Sequence, residues 1–353
     1  MTSANETKYG RLDPMLAAIE ALVRCESPSE DLAACQNVVR LASDIATRVL
    51  GTPAQIKEIE GRPVFWWGAS QPEILLLAHL DTVWPHGSYQ PLWEVNGDVV
   101  RGPGVFDMKA GFVQALFALK DIDGVADRVA LVATTDEETG SFASRKLIMD
   151  LSRDAKAVLV LEASLDGKVK TGRKGTAMYK ISVHGLAAHA GLEPEKGVNA
   201  TTEIAHAVLA IAAMENPEHG TTVVPTTLHA GNTTNTVPDL AVLDIDIRSY
   251  SMADLQRVDA AIKALKPVNT NTRYEITGGF NRPPLETSST MALYERAEKV
   301  AKSLGMPPLG HASVGGASDG NFAAAAGAQV LDGLGAVGDG AHAAHESVDI
   351  STL

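Results

Sequence analysis

The chain has 353 residues, 45% hydrophobic and 21% charged, with a formal net charge of −13. That length and composition describe a globular chain with one large or two modest domains, and exclude a disordered one. The acidic balance argues against a nucleic-acid binder and against an anionic membrane surface, but leaves room for an anionic substrate in a local basic pocket.

In chain order, "MTSANETKYG" lacks an apolar leader core, and no later run approaches the ~18 apolar residues of a membrane span. The two cysteines, Cys25 and Cys35, fall in one early segment, too few for a disulfide framework. Both features lead to the expectation of a soluble, cytoplasmic protein. Residues 12–50 carry helical patterning, interrupted by Ser27-Pro28-Ser29. Strand-like runs follow in "VFWWGA", "EILLLAHL" and "RVALVATTDEE". Between the last two lies the turn "RGPGVFD" and then an amphipathic helix, "MKAGFVQALFALKDI". "AVLVLEAS" and "AMYKISVHG" read as strands, "NATTEIAHAVLAIAAMEN" as a helix. "LAVLDIDIRSY" alternates with period two, as a half-buried antiparallel strand does. "ADLQRVDAAIKAL" and "MALYERAEKVAKSLG" are helical, and "GGASDGNFAAAAGAQVL" is a Gly/Ala-rich stretch.

Continuous apolar runs alternating with helices predict an α/β domain with a helix-covered, mainly parallel sheet. The alternating middle predicts an inserted, smaller α+β domain, an antiparallel sheet plus two helices. Glycine-rich joints "TGRKGT" and "GGFNRPP" bracket it. The expected division is 1–174 and 282–353 for the first domain, and 175–281 for the insert.

Polar residues gather where the apolar runs stop. "ILLLAHLD" delivers His79 and Asp81, two apart and so expected on one face of a strand. Asp107 sits in a glycine-flanked turn, Glu137 and Glu138 end the strand "VALVATT", Glu162 ends "LVLEAS", and "GDGAHAAHES" adds His342 and His345. One acid at a strand end is ordinarily a turn former or a helix cap. Several strands that all deliver carboxylates or imidazoles at their C-terminal ends build one crevice, where open α/β sheets bind ligands. So many acids in a partly dry crevice repel one another, unless cations neutralise them. Two divalent cations would balance Asp107, Glu138, Glu162 and a bridging hydroxide. Imidazole with carboxylate suits zinc, and cobalt or manganese can substitute.

"AHLDTV", "RGPGVFDMKAG", "DEETGS" and "AHAAHE", in this order, resemble the M20 metallopeptidases, most closely the glutamate carboxypeptidase-like branch. The resemblance runs from about residue 74 onwards. It implies two zinc ions, one held by His79 and Glu162, the other by Glu138 and His342, with Asp107 bridging them. Asp81 would orient His79, and Glu137 would be the general base. His342 is preferred to His345 because the family pattern is a histidine followed four positions later by glutamate, here Glu346. The resemblance further implies a cis peptide at Asp107–Met108 and a terminal helix beyond "SVDISTL". "HGLAAHAG" matches a segment whose histidine, His189 here, reaches the partner's active site across a homodimer built on the inserted domain. "GNTTNTVPDLAVLDIDIR" would place Asn235 and Arg248 near the substrate. Arg282 at the hinge and Gly315, where backbone N–H groups could approach a carboxylate, complete the expected substrate set with Lys168. Lys168, Lys170, Arg173 and Lys174 form a basic run that reads either as a solvated hinge or as a site for an acidic substrate side chain.

The implied activity is hydrolysis of an amide beside a free α-carboxylate in a peptide or N-acyl amino acid, with release of a glutamate-like residue. The alternatives are an acylornithine deacetylase or desuccinylase type of deacylase, a dipeptidase, and, in a different class, a non-catalytic dimeric binding protein.

Overall fold

The structure is a computed structural model that describes the backbone from residue 3 and side chains from residue 12. It divides into two compact units, Met1–Gly172 with Leu285–Val314 and Ser318–Leu353, and Arg173–Pro284 with Gly315–Ala317.

The first unit is organised by a six-stranded sheet in the order Gln55–Ile59, Arg62–Gly68, Val129–Thr134, Ile74–His79, Ala157–Val160, Val330–Leu331. Its four later strands pair in parallel, and the first two join antiparallel at one edge. The apolar runs are continuous because both faces of this sheet are buried. Leu76, Ala78, Leu131 and Ala133 pack on one side against Ile19, Leu22, Val38, Phe112 and Leu116. Those residues belong to the helices Ser3–Arg24, Leu32–Leu50 and Ala110–Leu119. Leu75, Leu77, Ala130 and Val132 point the other way, towards Ile148 and Phe322. Each fully buried leucine contributes about 2 kcal/mol, so the strand that carries His79 is firmly fixed.

A small antiparallel sheet sits within the same unit: Gly338–Asp339, Ser347–Asp349, Val99–Arg101, Glu94–Asn96. Ser347 pairs with Arg101, which draws the C-terminal histidine segment to the turn that carries Asp107. Asp107–Met108 is cis, as is Gln90–Pro91, and the helical pattern of "MKAGFVQALFAL" begins regular helix only at Ala110.

The second unit is a four-stranded antiparallel sheet in the order Thr222–Ala230, Leu240–Ser249, Gly175–His184, Arg273–Arg282. The helices Ala200–Ala212 and Met252–Lys263 cover one face. Ala241, Leu243, Ile245 and Ile247 are buried, with half-buried residues between them, the period-two signature of a sheet covered on one side. No described helix is long and apolar enough to cross a membrane.

Candidate metal centre

His79 is the last residue of its strand, opposite Thr134 at the end of the parallel neighbour, after which the chain turns into Glu137–Thr139. Glu162 lies two residues beyond the strand Ala157–Val160. Parallel pairing in register therefore brings three strand ends together. The Asp107 carboxylate lies between two imidazoles, with Oδ1 3.1 Å from His79 Nε2 and Oδ2 3.3 Å from His342 Nε2. His79 Nε2 is also 3.8 Å from Glu162 Oε1, and His342 Nε2 is 2.9 Å from Glu138 Oε2. One donor atom each from His79, Asp107 and Glu138 lie within 4.8 Å of one another. His342 adopts φ +62, a left-handed conformation unusual for a residue with a side chain. His345 lies apart, exposed and 3.9 Å from Asp339.

Asp81 holds the arrangement from behind. One of its oxygens lies 3.4 Å from His79 Nδ1, whose nearest partner is the Asp81 carbonyl at 3.1 Å. The other accepts the Ser29 hydroxyl at 2.7 Å and the Glu138 N–H at 3.2 Å. His79 and Asp81 thus meet through a turn, since the strand ends at His79. Glu137 and Glu138 lie in a tight helical turn, not in the extended backbone that the strand before them suggests, and Glu137 is buried. Glu346, buried at 1% exposure, accepts N–H bonds from Gly104, Phe106 and Asp107 at 3.0, 3.0 and 3.1 Å. Lys109, also buried, donates to the carbonyls of Leu22 and Cys25 at the end of the first helix.

The charges are strongly coupled. Burial works against the charge on His79, yet the Asp107 and Asp81 carboxylates hold its imidazole well above the ordinary range. His342 is pushed up to about 11 by hydrogen bonds to Asp107 and Glu138. Burial pushes Asp107 upward, but the two imidazoles outweigh it and hold the carboxyl low. Burial, with the Asp107 charge, pushes Glu138 up to about 7 against the His342 hydrogen bond. A donor set of two imidazoles and converging carboxylates fits a divalent cation, which would replace those protons.

The second unit brings together His189 and Asn235. His189 pairs with Thr236 in a short ladder, and the Asn235 carbonyl accepts from Ala190. His189 Nδ1 accepts from the N–H groups of Gly191 and Leu192, both at 3.1 Å, which leaves the ring proton on Nε2. Arg248 is held by both oxygens of Asp246, at 2.9 and 3.1 Å. Arg282 is buried at the end of its strand. A side chain at Gly315 would meet no atom within 4 Å, so packing does not require glycine there. Lys168 is exposed and closes a tight turn by pairing with Leu165 in the first unit. Arg173 is buried and donates to the carbonyls of Gly316 and Ala317, so this part of the basic run is not a solvated face.

The fold and the cluster together define an α/β protein with a candidate metal site, in which one carboxylate lies between two histidines. The profile of peptidase family M20/M25/M40 matches residues 75–353, and the chain belongs to that family. It is 33% identical over 302 residues to carboxypeptidase G2 of Pseudomonas sp. (strain RS-16), an alignment covering 81% of this chain and 72% of that one. It is 26% identical to a succinyl-diaminopimelate desuccinylase of Sulfurovum sp. (strain NBC37-1), over 80% of each chain. Among solved structures, a tripeptidase from Staphylococcus aureus superposes with a TM-score of 0.76 at 22% identity, covering 97% of this chain and 94% of that one. An M20 family metallo-carboxypeptidase from Sulfolobus solfataricus gives 0.73 at 18%, covering 96% and 95%. These two share the fold.

Proposed function

We propose that this chain is a di-zinc amidohydrolase that cleaves an amide beside a free α-carboxylate and releases a glutamate-like residue. The observation that carries the reading is the Asp107 carboxylate, whose two oxygens face two separate imidazoles. One carboxylate between two histidine–acid pairs is a donor set for two cations with a shared ligand. His79 and Glu162 would hold one zinc, His342 and Glu138 the other, and Asp107 both; cobalt or manganese can substitute. When bound, such ions supply Lewis acidity to the amide carbonyl and lower the pKa of bound water from ~15.7 towards ~7.

The chain's own groups do the rest. Glu137 accepts the proton of the attacking water at its carboxylate and passes it to the leaving nitrogen. Asp81 fixes the His79 ring through Nδ1, so that Nε2 faces the ligand side. His189 offers its Nε2 proton to the developing oxyanion of a partner protomer's substrate. Asn235, Arg282 and the backbone near Gly315 take the α-carboxylate, with Lys168 near an acidic side chain. Arg248 joins them only by exchanging Asp246 for the substrate carboxylate. The inserted unit serves as dimerisation and lid domain, and the expected assembly is a homodimer.

The similarity to carboxypeptidase G2 supports the glutamate reading. The desuccinylases among the relatives, 26 and 27% identical in two cases, support a second one, removal of a succinyl group from an amino acid. The test is an assay of metal-stripped and zinc-reloaded protein on N-acyl glutamates, N-succinyl-diaminopimelate and simple dipeptides. Zinc-dependent glutamate release is expected. Turnover of the succinyl substrate alone overturns the glutamate assignment, and zinc uptake with no turnover anywhere overturns the hydrolase reading.

A further inference from the structure

An open cavity of about 870 Å³ lies within the first unit and reaches Glu138, a member of the metal cluster. Its apolar wall is formed by Pro28, Leu32, Val83 and Pro85. Leu32 and Val83 are 45 and 40% exposed, so apolar surface faces this space. The polar rim is acidic. Glu30 and Asp31 line it, and His86, the one basic side chain among the lining residues, is already committed. Its Nε2 lies 3.2 Å from Asp31 and its Nδ1 3.7 Å from Glu26. The N-terminus of the helix Leu32–Leu50 also opens here, but the Asp31 carboxylate accepts the N–H groups of Ala33 and Ala34. Neither a lysine or arginine nor an uncapped helix end lines the cavity, so no uncommitted cationic group there meets an anion, and the Ser29 and Thr139 hydroxyls already donate to Asp81 and to the Asp136 carbonyl.

We propose that this cavity is the subsite for the acyl half of the substrate, and that it selects uncharged or cationic acyl groups with apolar surface, aromatic or peptidyl, against dicarboxylic ones such as succinyl. The inference rests on the amidohydrolase reading above. An amide beside an α-carboxylate has two halves, and the half with the carboxylate needs cations. A cavity walled by proline, leucine and valine and rimmed by Glu30 and Asp31 suits only the other half. A succinyl carboxylate placed there would meet like charges and no cationic partner.

The test is calorimetric titration of the zinc-loaded Glu137→Gln protein with N-benzoyl-L-glutamate and N-succinyl-L-glutamate, which differ only in the acyl group. Benzoyl is expected to bind at least about tenfold more tightly, and Glu30→Lys in the same background to narrow the gap several-fold by reversing one rim charge. Val83→Trp, which fills the apolar wall, is expected to weaken benzoyl binding while zinc stoichiometry stays unchanged, showing an intact fold. Equal affinities, a preference indifferent to both substitutions, or no binding of either compound overturns the subsite. Wild-type turnover on the same pair separates the two readings. Binding preference without turnover retains the subsite and rejects the amidohydrolase, whereas equal turnover of both compounds retains the amidohydrolase and rejects the subsite.

Discussion

At the scale of single residues, Glu137 and Glu138 are neighbours with opposite duties. Glu138 faces His342, whereas Glu137 is the proposed proton carrier. Glu137→Gln keeps the shape and removes the base, so turnover should fall by about 10²–10⁴-fold, with zinc content unchanged by metal analysis. Near-normal turnover would remove Glu137 from the mechanism. The imidazoles support a second prediction. Without metal, His79 and His342 are held protonated by the carboxylates around them, and an imidazole must lose that proton to ligate. Zinc titration near neutral pH should therefore release protons from the two imidazoles, read by calorimetry in buffers of different ionisation enthalpy. A heat independent of buffer would contradict the protonated pair. Much of this constellation is legible in the sequence, because each proposed ligand follows an apolar strand or a glycine turn. Ser29, read only as part of a helix break, is not. Its bond to Asp81 spans 52 positions, and no local pattern announces it.

At the scale of elements, Glu346 shows how the site is tied together. It stands next to the strand Ser347–Asp349, and its carboxylate gathers the N–H groups of the turn that carries Asp107. A glutamine offers one acceptor oxygen and turns an NH₂ towards those donors. Glu346→Gln should therefore cost about 1–3 kcal/mol of stability and weaken zinc binding about 10–100-fold, by thermal melting and chelator competition. Unchanged zinc affinity would make Glu346 a fold residue alone. The same scale explains which elements the pattern hides. The helix Arg145–Arg153 is only nine residues long, so its stripe of Leu147, Ile148 and Leu151 is too brief to announce itself by periodicity. The strands Thr222–Ala230 and Arg273–Arg282 are the edges of their sheet and mostly exposed or half-buried. Pro225 and a bulge further break the first of them. By contrast, Leu240–Ser249 is central, and its alternation is plain.

At the scale of the whole molecule, the division of labour between the two units can be tested by cutting them apart. His79, Asp81, Asp107, Glu137, Glu138, Glu162, His342 and Glu346 all lie in the first unit, as do the two hydrophobic clusters on either face of its sheet. The inserted unit has its own core around Ile181, Ile204, Leu243 and Val258. It enters and leaves through adjacent chain segments, since Thr176 pairs with Arg282. A chain in which a short Gly/Ser linker joins Gly172 to Leu285 should thus fold and take up zinc, while losing turnover with His189 and Asn235. Loss of zinc uptake would show that the cluster depends on the insert. The excised insert also carries its own acid sensitivity. Burial alone would raise the Glu203 carboxyl, but the Tyr274 hydroxyl and the N–H groups of Asn269 and Val268 hold it below its usual range. A carboxyl lowered by folding stabilises above its unfolded pKa of ~4.3 and loses that contribution as pH falls through the folded value. Melting of the insert should accordingly steepen below about pH 4, and Glu203→Gln should flatten that dependence. If the substitution leaves the pH profile unaltered, other carboxylates govern the acid limit of this unit.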